Sequence, residues 1–343
     1  MVRFPDTLPW SPVPPSASSR RVFANLDPIH SLARILQCAF AMTRPLRFSH
    51  PWQPVEITGR TIQGRFLLRP SSRLNALIAG ILSLAKERYE VRIYNLVFLS
   101  NHFHMIAAAP SPSVLSAFMG FVMGNIAREA GKLYDWPGSF WERRHRTIPI
   151  ADDESLMGRM RYIFENGCKE GLVSHPSKWP GLNAVDALLH GTTIEGIWVK
   201  RTALYNARRT KKKVEEKDHT ERRVLKLDPL PTWEGLSPKR MVKAVAELIA
   251  DAASSFPQGT RAERAEKKRV MAQPPHHRPE RVKKGFAPLC HAASKAVADA
   301  FREAYRAFVG AYRAAAEKLA KRLPRLGFPT HAQVMAFAVL ETG

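Results

Sequence analysis

The 343-residue sequence predicts an α+β protein, in which an antiparallel sheet with helices on one face is followed by a mainly helical, basic C-terminal extension. Two observations predict this class. Between residues 44 and 190, short β-branched segments alternate with amphipathic helical segments. After residue 190, apolar helical stretches are separated by runs of charge. We therefore expect a leader (residues 1–43), a first domain (44–190) and a basic helical region (191–343).

The leader is expected to be partly disordered. Residues 1–22 are dominated by Pro and Ser and offer little to bury, and a short helix is predicted across 30–42 after Asp27-Pro28. The N-terminus has no continuous apolar stretch typical of a signal peptide. The apolar part of SLARILQCAFAM is too short to span a bilayer, so no transmembrane segment is predicted.

The first half of the domain predicts strand, helix and strand in that order. The opening segment is VEITGRTIQGRFLLR, which indicates two short strands or one bulged strand around a Gly-containing turn. The next is SSRLNALIAGILSLAKERY, which has a Ser start and helical apolar spacing. It is followed by VRIYNLVFLSNHFHMIAAA, apolar on both faces, which we interpret as one long central strand.

The second half of the domain predicts helix, strand and helix. A Ser-Pro pair opens the second helix, SPSVLSAFMGFVMGNIAREAGKLY, and a short basic strand, FWERRHRTIPI, follows. The third helix is DDESLMGRMRYIFENGCKEGL, capped by Asp152 or Asp153 and closed near Gly171. This order of elements predicts a ferredoxin-like layer.

The charge balance predicts a polyanionic partner. The sequence has 53 Lys+Arg against 30 Asp+Glu, a net charge of +23, and residues 191–343 carry +15 of it. Nucleic acid is the first candidate and an acidic membrane surface the second. The membrane is disfavoured because no helix combines a strongly apolar face with a purely basic one. Two charge runs, within 207–223 and 261–285, are interpreted as solvated helix or linker, and the aromatic stripe at 301–312 as core.

The cysteines argue against a thiolate metal site. Cys38, Cys168 and Cys290 are odd in number and far apart, so neither a zinc site built on paired cysteines nor a disulfide framework is expected. A reducing cytoplasm is the natural compartment, with association to the nucleoid if the partner is DNA.

Two histidines are candidate metal ligands. His102 and His104 are separated by one residue, and side chains alternate faces along a strand, so both imidazoles point to the same side. Two imidazoles on one face can share a metal ion. A His-x-His pair also occurs by chance, so the pair alone is not decisive.

The third helix carries a candidate nucleophile. Its buried stripe is formed by Leu156, Met160, Ile163 and Phe164. Tyr162, Asn166 and Lys169 share a different stripe. If that stripe faces the histidines, Asn166 can supply an oxygen ligand and Tyr162 a nucleophile. The alternative is a surface tyrosine with polar neighbours.

Three segments, NHFHMI, FWERRHRTIPI and YIFENGCKEGLV, together resemble the HUH (His-hydrophobic-His) single-tyrosine transposases, specifically the REP-associated tyrosine transposase group. The resemblance covers about residues 44–190. Asn precedes the pair in that family, as Asn101 does here, and Tyr opens a motif that Tyr162, Asn166 and Gly171-Leu172-Val173 fit. This chain departs from the motif at Gly167, Lys169 and Glu170, and Glu56 stands where the family often has histidine.

The resemblance implies a DNA transposase with a divalent metal, Mg²⁺ or Mn²⁺, as its cofactor. His102, His104 and Asn166 would hold the metal, and Tyr162 would cut single-stranded or hairpin (REP-like) DNA through a 5′-phosphotyrosine. Phosphate contacts are expected from Arg143, Arg144, Arg146 and Lys169. A monomer or homodimer without a membrane partner is expected. The alternatives are a non-catalytic or domesticated nucleic-acid-binding protein and a hydrolase that uses a metal-activated water.

Overall fold

The computed structural model describes residues 46–210, 213–254, 263–280 and 287–322, so the predictions for residues 1–43 lie outside the described residues. The chain forms two compact units. One comprises Ser49–Phe301, and the other combines Met1–Phe48 with Arg302–Gly343. Within the described residues, no helix is both long and apolar enough to cross a membrane.

A four-stranded antiparallel sheet forms the centre of the larger unit. Its strands are β1 (Val55–Arg60), β2 (Arg92–Phe98), β3 (His102–Ala108) and β4 (Arg146–Pro149), in the order β2-β3-β1-β4. Helix α1 (Ser72–Arg88) joins β1 to β2, and α2 (Pro112–Leu133) joins β3 to β4. This β-α-β-β-α-β order is ferredoxin-like, and the α+β class is confirmed.

Helices cover both faces of the sheet, so the prediction of helices on one face is wrong. Helices α1 and α2 pack on the face that carries Ile57, Phe103 and Met105. Helix α3 (Asp153–Lys169) packs on the opposite face, against Ile106 and Ala108. Successive strand residues alternate faces, and apolar side chains occupy both faces, so each face requires a covering layer.

The predicted long central strand is two strands joined by a tight turn. Leu99-Ser100-Asn101 separates β2 from β3, and Phe98 pairs with Phe103 across the hairpin. Ser and Asn favour turns because their side chains hydrogen-bond the local backbone. His102 therefore lies at the start of β3. Likewise, β1 is a single strand, followed by a turn in which Gln63 has a φ of 54°.

Side-chain caps set the starts of the helices. Ser71 and Ser111 accept backbone N–H bonds at the starts of α1 and α2. Asp152 caps α3 by accepting from the Ser155 amide at 2.7 Å, and Gly171 has a φ of 62° just after the helix ends. The predicted buried stripe of α3 is confirmed at its four positions, Leu156, Met160, Ile163 and Phe164.

The region after residue 190 contributes a hairpin as well as helices. Strands β5 (Ile194–Val199) and β6 (Thr220–Leu225) pair antiparallel. Helix α4 (Val185–His190) precedes this region, whose α-helices are α5 (Arg201–Thr210), α6 (Pro238–Ser254), α7 (Glu263–Met271) and α8 (Lys295–Arg322). The interpretation of 207–223 as solvated helix or linker is thus wrong for β6. Alternate residues of β6 are exposed, which makes its sequence resemble a solvated run.

Aromatic residues pack together in the smaller unit, as predicted for the aromatic stripe. Phe48 stacks on Phe308 with ring centroids 5.0 Å apart, and Tyr305 lies 6.1 Å from Phe48. Phe308 also contacts Tyr312 at 6.4 Å. These rings contact one another and are half-buried, which favours a packing role over base stacking.

The hairpin packs on α1 through a direct backbone contact. Gly80 of α1 faces Gly196 of β5, and a methyl group at Gly80 would overlap the backbone carbonyl of Ile197. We expect Gly80→Ala to destabilise the fold by about 3 kcal/mol, since a backbone atom cannot move aside as a side chain can. In Gly124→Ala the added methyl meets nothing within 4 Å, and we expect a small stabilisation, about 0.5–1 kcal/mol. Urea unfolding of both variants checks this, and equal midpoints would contradict it.

Later segments of the chain border both outer strands of the sheet. Beside β2, the Phe98 amide donates to the Leu182 carbonyl at 2.8 Å, and the Ala184 amide donates to the Leu96 carbonyl at 3.0 Å. At the end of β4, the His291 amide donates to the Pro149 carbonyl at 2.8 Å. We call residues 289–293 the docked segment. It brings a distant part of the sequence to the sheet.

Candidate functional site

The two histidines of β3 lie on the sheet face covered by α3. Their ring centroids are 5.2 Å apart. His102 Nδ1 lies 2.6 Å from Asn101 Oδ1, and His104 Nδ1 lies 2.8 Å from Glu56 Oε1. An amide oxygen and a carboxylate oxygen can only accept, so each Nδ1 carries the proton. In the neutral form of each ring, Nε2 then has the lone pair that metal binding requires.

Desolvation favours the neutral form of the half-buried His102. It lowers the pKa of His102 well below the usual value, and the Arg60 charge lowers it further. A neutral imidazole is the form that binds a metal ion, because a protonated ring has no lone pair to offer. The environment of His102 thus favours the form that a ligand needs.

Tyr162 of α3 meets this histidine pair. Its ring centroid is 5.4 Å from that of His104 in an edge-on arrangement. The Arg159 guanidinium lies 3.8 Å above the Tyr162 ring, and the Lys169 ammonium lies 5.0 Å from it. The structure thus brings together His102, His104 and Tyr162, which we call the His–Tyr cluster, and Lys169 borders it. The roles of these residues stay predictions.

Asn166 lies one helical turn after Tyr162 and is buried. Its amide nitrogen donates to the Tyr162 carbonyl at 2.8 Å. The described residues contain no group of three or more His, Cys, Asp and Glu side chains suited to a metal ion. The amide oxygen of Asn166 is of a type that divalent ions accept, and its role as a ligand stays a prediction.

The three arginines predicted to bind DNA lie in or just before β4. Arg146 pairs in register with Thr58, which pairs on its other side with His104, so the three residues form one row across the sheet. Arg143 and Arg144 precede the strand and are exposed. Within the residues that the structure describes, neither Arg143 nor Arg144 makes a ring or ion-pair contact with the His–Tyr cluster. Arg143 lies 3.8 Å from its neighbour Glu142.

A buried carboxylate, that of Glu56 in β1, contacts the His–Tyr cluster through His104. It is 1% exposed. Its Oε1 lies 2.8 Å from His104 Nδ1 and 2.7 Å from the Arg159 guanidinium, and its Oε2 lies 2.6 Å from His291 Nε2. Burial opposes ionisation, but hydrogen bonds with His104 and His291 and the Arg159 charge outweigh it. The pKa of Glu56 is therefore well below its usual value.

Sequence reasoning noted Glu56 only as a departure from the family's pattern, without a supporting role, and missed Arg159 and His291. Glu56 is the one acidic residue of an otherwise apolar or neutral strand start, VEIT, and an isolated charge in a buried strand is a signal that could have found it. Arg159 precedes Tyr162 by three residues, so it shares a helix face with the tyrosine. His291 offers no such signal, because it lies 235 residues from Glu56 in the sequence.

The ionised form of Glu56 should stabilise the fold at neutral pH. Its pKa in the folded protein is lower than the ordinary value of 4.5, so the stabilisation is full above pH 4.5 and is lost as the pH falls below it. We expect Glu56→Gln to lower the free energy of unfolding by about 2–3 kcal/mol at pH 7. Urea unfolding at pH 7 and pH 3 measures this difference.

The difference between the wild type and Glu56→Gln should narrow at pH 3, since the carboxylate advantage is then partly lost. Glu87→Gln is a matched control, because Glu87 is 56% exposed in its ion pair with Arg223. We expect that change to cost less than about 1 kcal/mol. If Glu56→Gln lowered the free energy of unfolding by the same amount at both pH values, the stabilising role of the ionised Glu56 would be contradicted.

No protein-family model and no curated protein matches the chain. Among solved structures, the chain is similar to a REP-associated tyrosine transposase bound to a REP hairpin, at 18% identity and a TM-score of 0.38, over 44% of this chain and 87% of that one. It is also similar to a candidate transposase from Deinococcus radiodurans R1, at 14% identity and a TM-score of 0.26, over 35% of this chain and 95% of that one. At these identities, neither match assigns a role to a residue of this chain.

Proposed function

We propose that this chain is a transposase that cuts and rejoins single-stranded DNA through Tyr162, with a divalent metal as its cofactor. The observation that carries the proposal is the position of the Tyr162 ring, 5.4 Å from the ring of His104, which together with His102 offers two free Nε2 atoms. The resemblance of the three motifs to HUH single-tyrosine transposases supports the same chemistry.

The donor set of the site fits a divalent ion. His102 and His104 would hold it through Nε2, and Asn166 would add an amide oxygen. Two nitrogens and one oxygen suit Mn²⁺, and Mg²⁺ is adequate given its cellular abundance. When bound, the ion supplies charge stabilisation at the oxygens of the scissile phosphate.

Tyr162 would act as the nucleophile. Its Oη attacks the scissile phosphorus, an Oη–P bond forms, and the bond from phosphorus to the 3′ oxygen of the preceding nucleotide breaks. The phenolic proton passes to solvent, and the departing 3′ oxygen takes up a proton. The downstream strand stays on the protein as a 5′-phosphotyrosine. Attack by a second 3′-hydroxyl reverses these steps and joins strands without ATP.

Cationic side chains would guide the phosphate backbone. Lys169 and Arg159 flank the Tyr162 ring and would contact a phosphate bound at the tyrosine. Arg146 occupies the same row of the sheet as His104. Contacts of Arg143 and Arg144 with DNA further from the scissile bond belong to the same proposal.

The remaining parts of the proposal come from the family resemblance. The substrate would be single-stranded DNA next to an imperfect palindromic hairpin. The protein would act as a monomer or homodimer at the nucleoid. The net charge of +23 supports a nucleic-acid partner but does not select a sequence.

The test is an end-labelling experiment with single-stranded DNA and Mn²⁺. A 3′-labelled strand should become covalently attached to the protein and move with it on a denaturing gel. The 5′-labelled fragment should instead be released with a free 3′-hydroxyl. Attachment of the 5′-labelled fragment would contradict the proposed polarity. Binding without any adduct would favour a non-catalytic nucleic-acid-binding protein, and cleavage without an adduct would favour a hydrolase.

A further inference from the structure

The docked segment places an imidazole next to the candidate site from the far end of the sequence. His291 Nε2 lies 2.6 Å from Glu56 Oε2, and Glu56 Oε1 lies 2.8 Å from His104 Nδ1. One buried carboxylate therefore bridges two imidazoles, one from β3 and one from the C-terminal region. Only the first of them belongs to the His–Tyr cluster.

Backbone hydrogen bonds fix the position of His291. Its amide donates to the Pro149 carbonyl at 2.8 Å, and its carbonyl accepts from the Ala151 amide at 2.8 Å. Two residues later, the Ala293 amide donates to Asp152 Oδ2 at 2.9 Å. The same Asp152 caps the helix that carries Tyr162. The segment is thus anchored at His291 and again two residues after it, and the His291 side chain is 14% exposed.

The bridge requires specific proton positions. An ionised carboxylate can only accept hydrogen bonds, so His291 donates from Nε2 and His104 donates from Nδ1. Arg159 occupies Oε1 together with His104, which leaves Oε2 to His291. Loss of the His291 donor would remove the hydrogen bond that holds Oε2. The carboxylate could then rotate, and His104 would lose its fixed acceptor.

We propose that His291 is a positioning residue for His104: by holding Glu56 in place, it keeps the His104 proton on Nδ1 and its Nε2 lone pair directed into the site. The use of that lone pair as a metal ligand rests on the proposed function, whereas the position of the proton does not. The C-terminal region thereby becomes part of the site. Carboxylates that orient a ligating histidine through its second nitrogen commonly affect metal affinity 10- to 100-fold.

A purely structural role for His291 predicts a different pattern of variants. If His291 only fills space and anchors the segment, His291→Gln and His291→Leu should behave alike in the site. A positioning role requires a hydrogen-bond donor at this point. Gln keeps a donor of similar reach, whereas Leu has none, so the positioning role predicts that Gln preserves the site and Leu does not.

The first experiment determines the His104 tautomer in the full-length, metal-free protein. Histidine-selective ¹⁵N labelling distinguishes Nδ1–H from Nε2–H, and the His104 signals are assigned by their loss in His104→Asn. We expect the Nδ1–H tautomer in the wild type, in His291→Gln and in the control His190→Leu, whose residue is exposed at the end of α4. His291→Leu should show mixed tautomers. An unchanged His104 signal in His291→Leu would overturn the proposal.

The second experiment measures Mn²⁺ affinity by electron paramagnetic resonance on the same full-length proteins. We expect His291→Leu to bind Mn²⁺ about 10- to 100-fold more weakly, with His291→Gln and His190→Leu near the wild type. Equal losses in the Gln and Leu variants would overturn the positioning role. If His291→Leu fails to fold, His291→Met supplies a second side chain without a donor for both measurements.

The experiments can refute the role of His291 and the proposed function independently of each other. A wild type that forms no DNA adduct would remove the transferase proposal, but the His104 tautomer would still decide the role of His291. Conversely, an adduct formed equally by the wild type and His291→Leu, with unchanged tautomer and Mn²⁺ affinity, would leave Tyr162 as the nucleophile and remove His291 from the site.

Discussion

Replacing Tyr162 with phenylalanine is expected to abolish the covalent protein–DNA adduct and to lower strand cleavage by at least about 1,000-fold. The substitution removes only the Oη atom, and the ring keeps its contacts with His104 and Arg159. DNA affinity should therefore change little, because phosphate contacts and not the phenol supply most of it. Adduct formation on denaturing gels and binding by fluorescence anisotropy measure the two effects separately.

Tyr205→Phe is the matched control for this prediction. Tyr205 is 63% exposed on α5. Removal of its hydroxyl in Tyr205→Phe should leave both adduct formation and cleavage unchanged. Cleavage that persists in Tyr162→Phe at the wild-type rate would show that a metal-activated water, and not the tyrosine, attacks the phosphate. Adduct formation that persists would place the nucleophile at another residue.

Replacing His102 with alanine is expected to lower cleavage by about 100-fold or more at limiting Mn²⁺. The reason is the loss of one of two imidazoles whose Nε2 atoms are free for a metal ion. His102 is a cleaner choice than His104, because its Nδ1 partner is its own neighbour Asn101 and not the buried Glu56. The fold should therefore tolerate the change. The measurement is the cleavage rate as a function of Mn²⁺ concentration.

Excess Mn²⁺ should partly restore the His102→Ala protein, since the remaining ligands bind the ion more weakly but in the same place. Chelation of divalent ions should stop cleavage by the wild type, and His190→Ala should keep the wild-type dependence on Mn²⁺. A His102→Ala protein with an unchanged Mn²⁺ dependence would contradict the assignment of His102 as a ligand.

Local patterns were sufficient to predict the parts of the site that lie close together in the sequence. His102 and His104 share a face whether the strand begins or ends there, because the alternation of side chains depends only on an extended backbone. The placement of Tyr162 away from the buried stripe of α3 likewise follows from helical periodicity alone. The split of the central strand did not affect these inferences, since the turn precedes His102.

Long-range contacts account for what the sequence did not predict. Whether α3 covers the same face as α1 or the opposite one depends on the path of the chain after β4, and periodicity within a helix carries no information about that path. The β5–β6 hairpin packs on α1 at Gly80. The charged residues of β6 give no sign of this packing in the sequence. His291 reaches Glu56 through backbone pairing with the end of β4, a contact that leaves no local pattern.

The segments that border β2 and β4 also limit how two copies of this chain could associate. An uncovered outer strand offers free amide and carbonyl groups to a strand of another molecule, which is a common route to continuous intermolecular sheets and to aggregation. Here Leu182 and Ala184 occupy such groups on β2, and His291 does so at the end of β4. A strand of a second molecule could therefore reach these particular amide and carbonyl groups only after the bordering segment had detached.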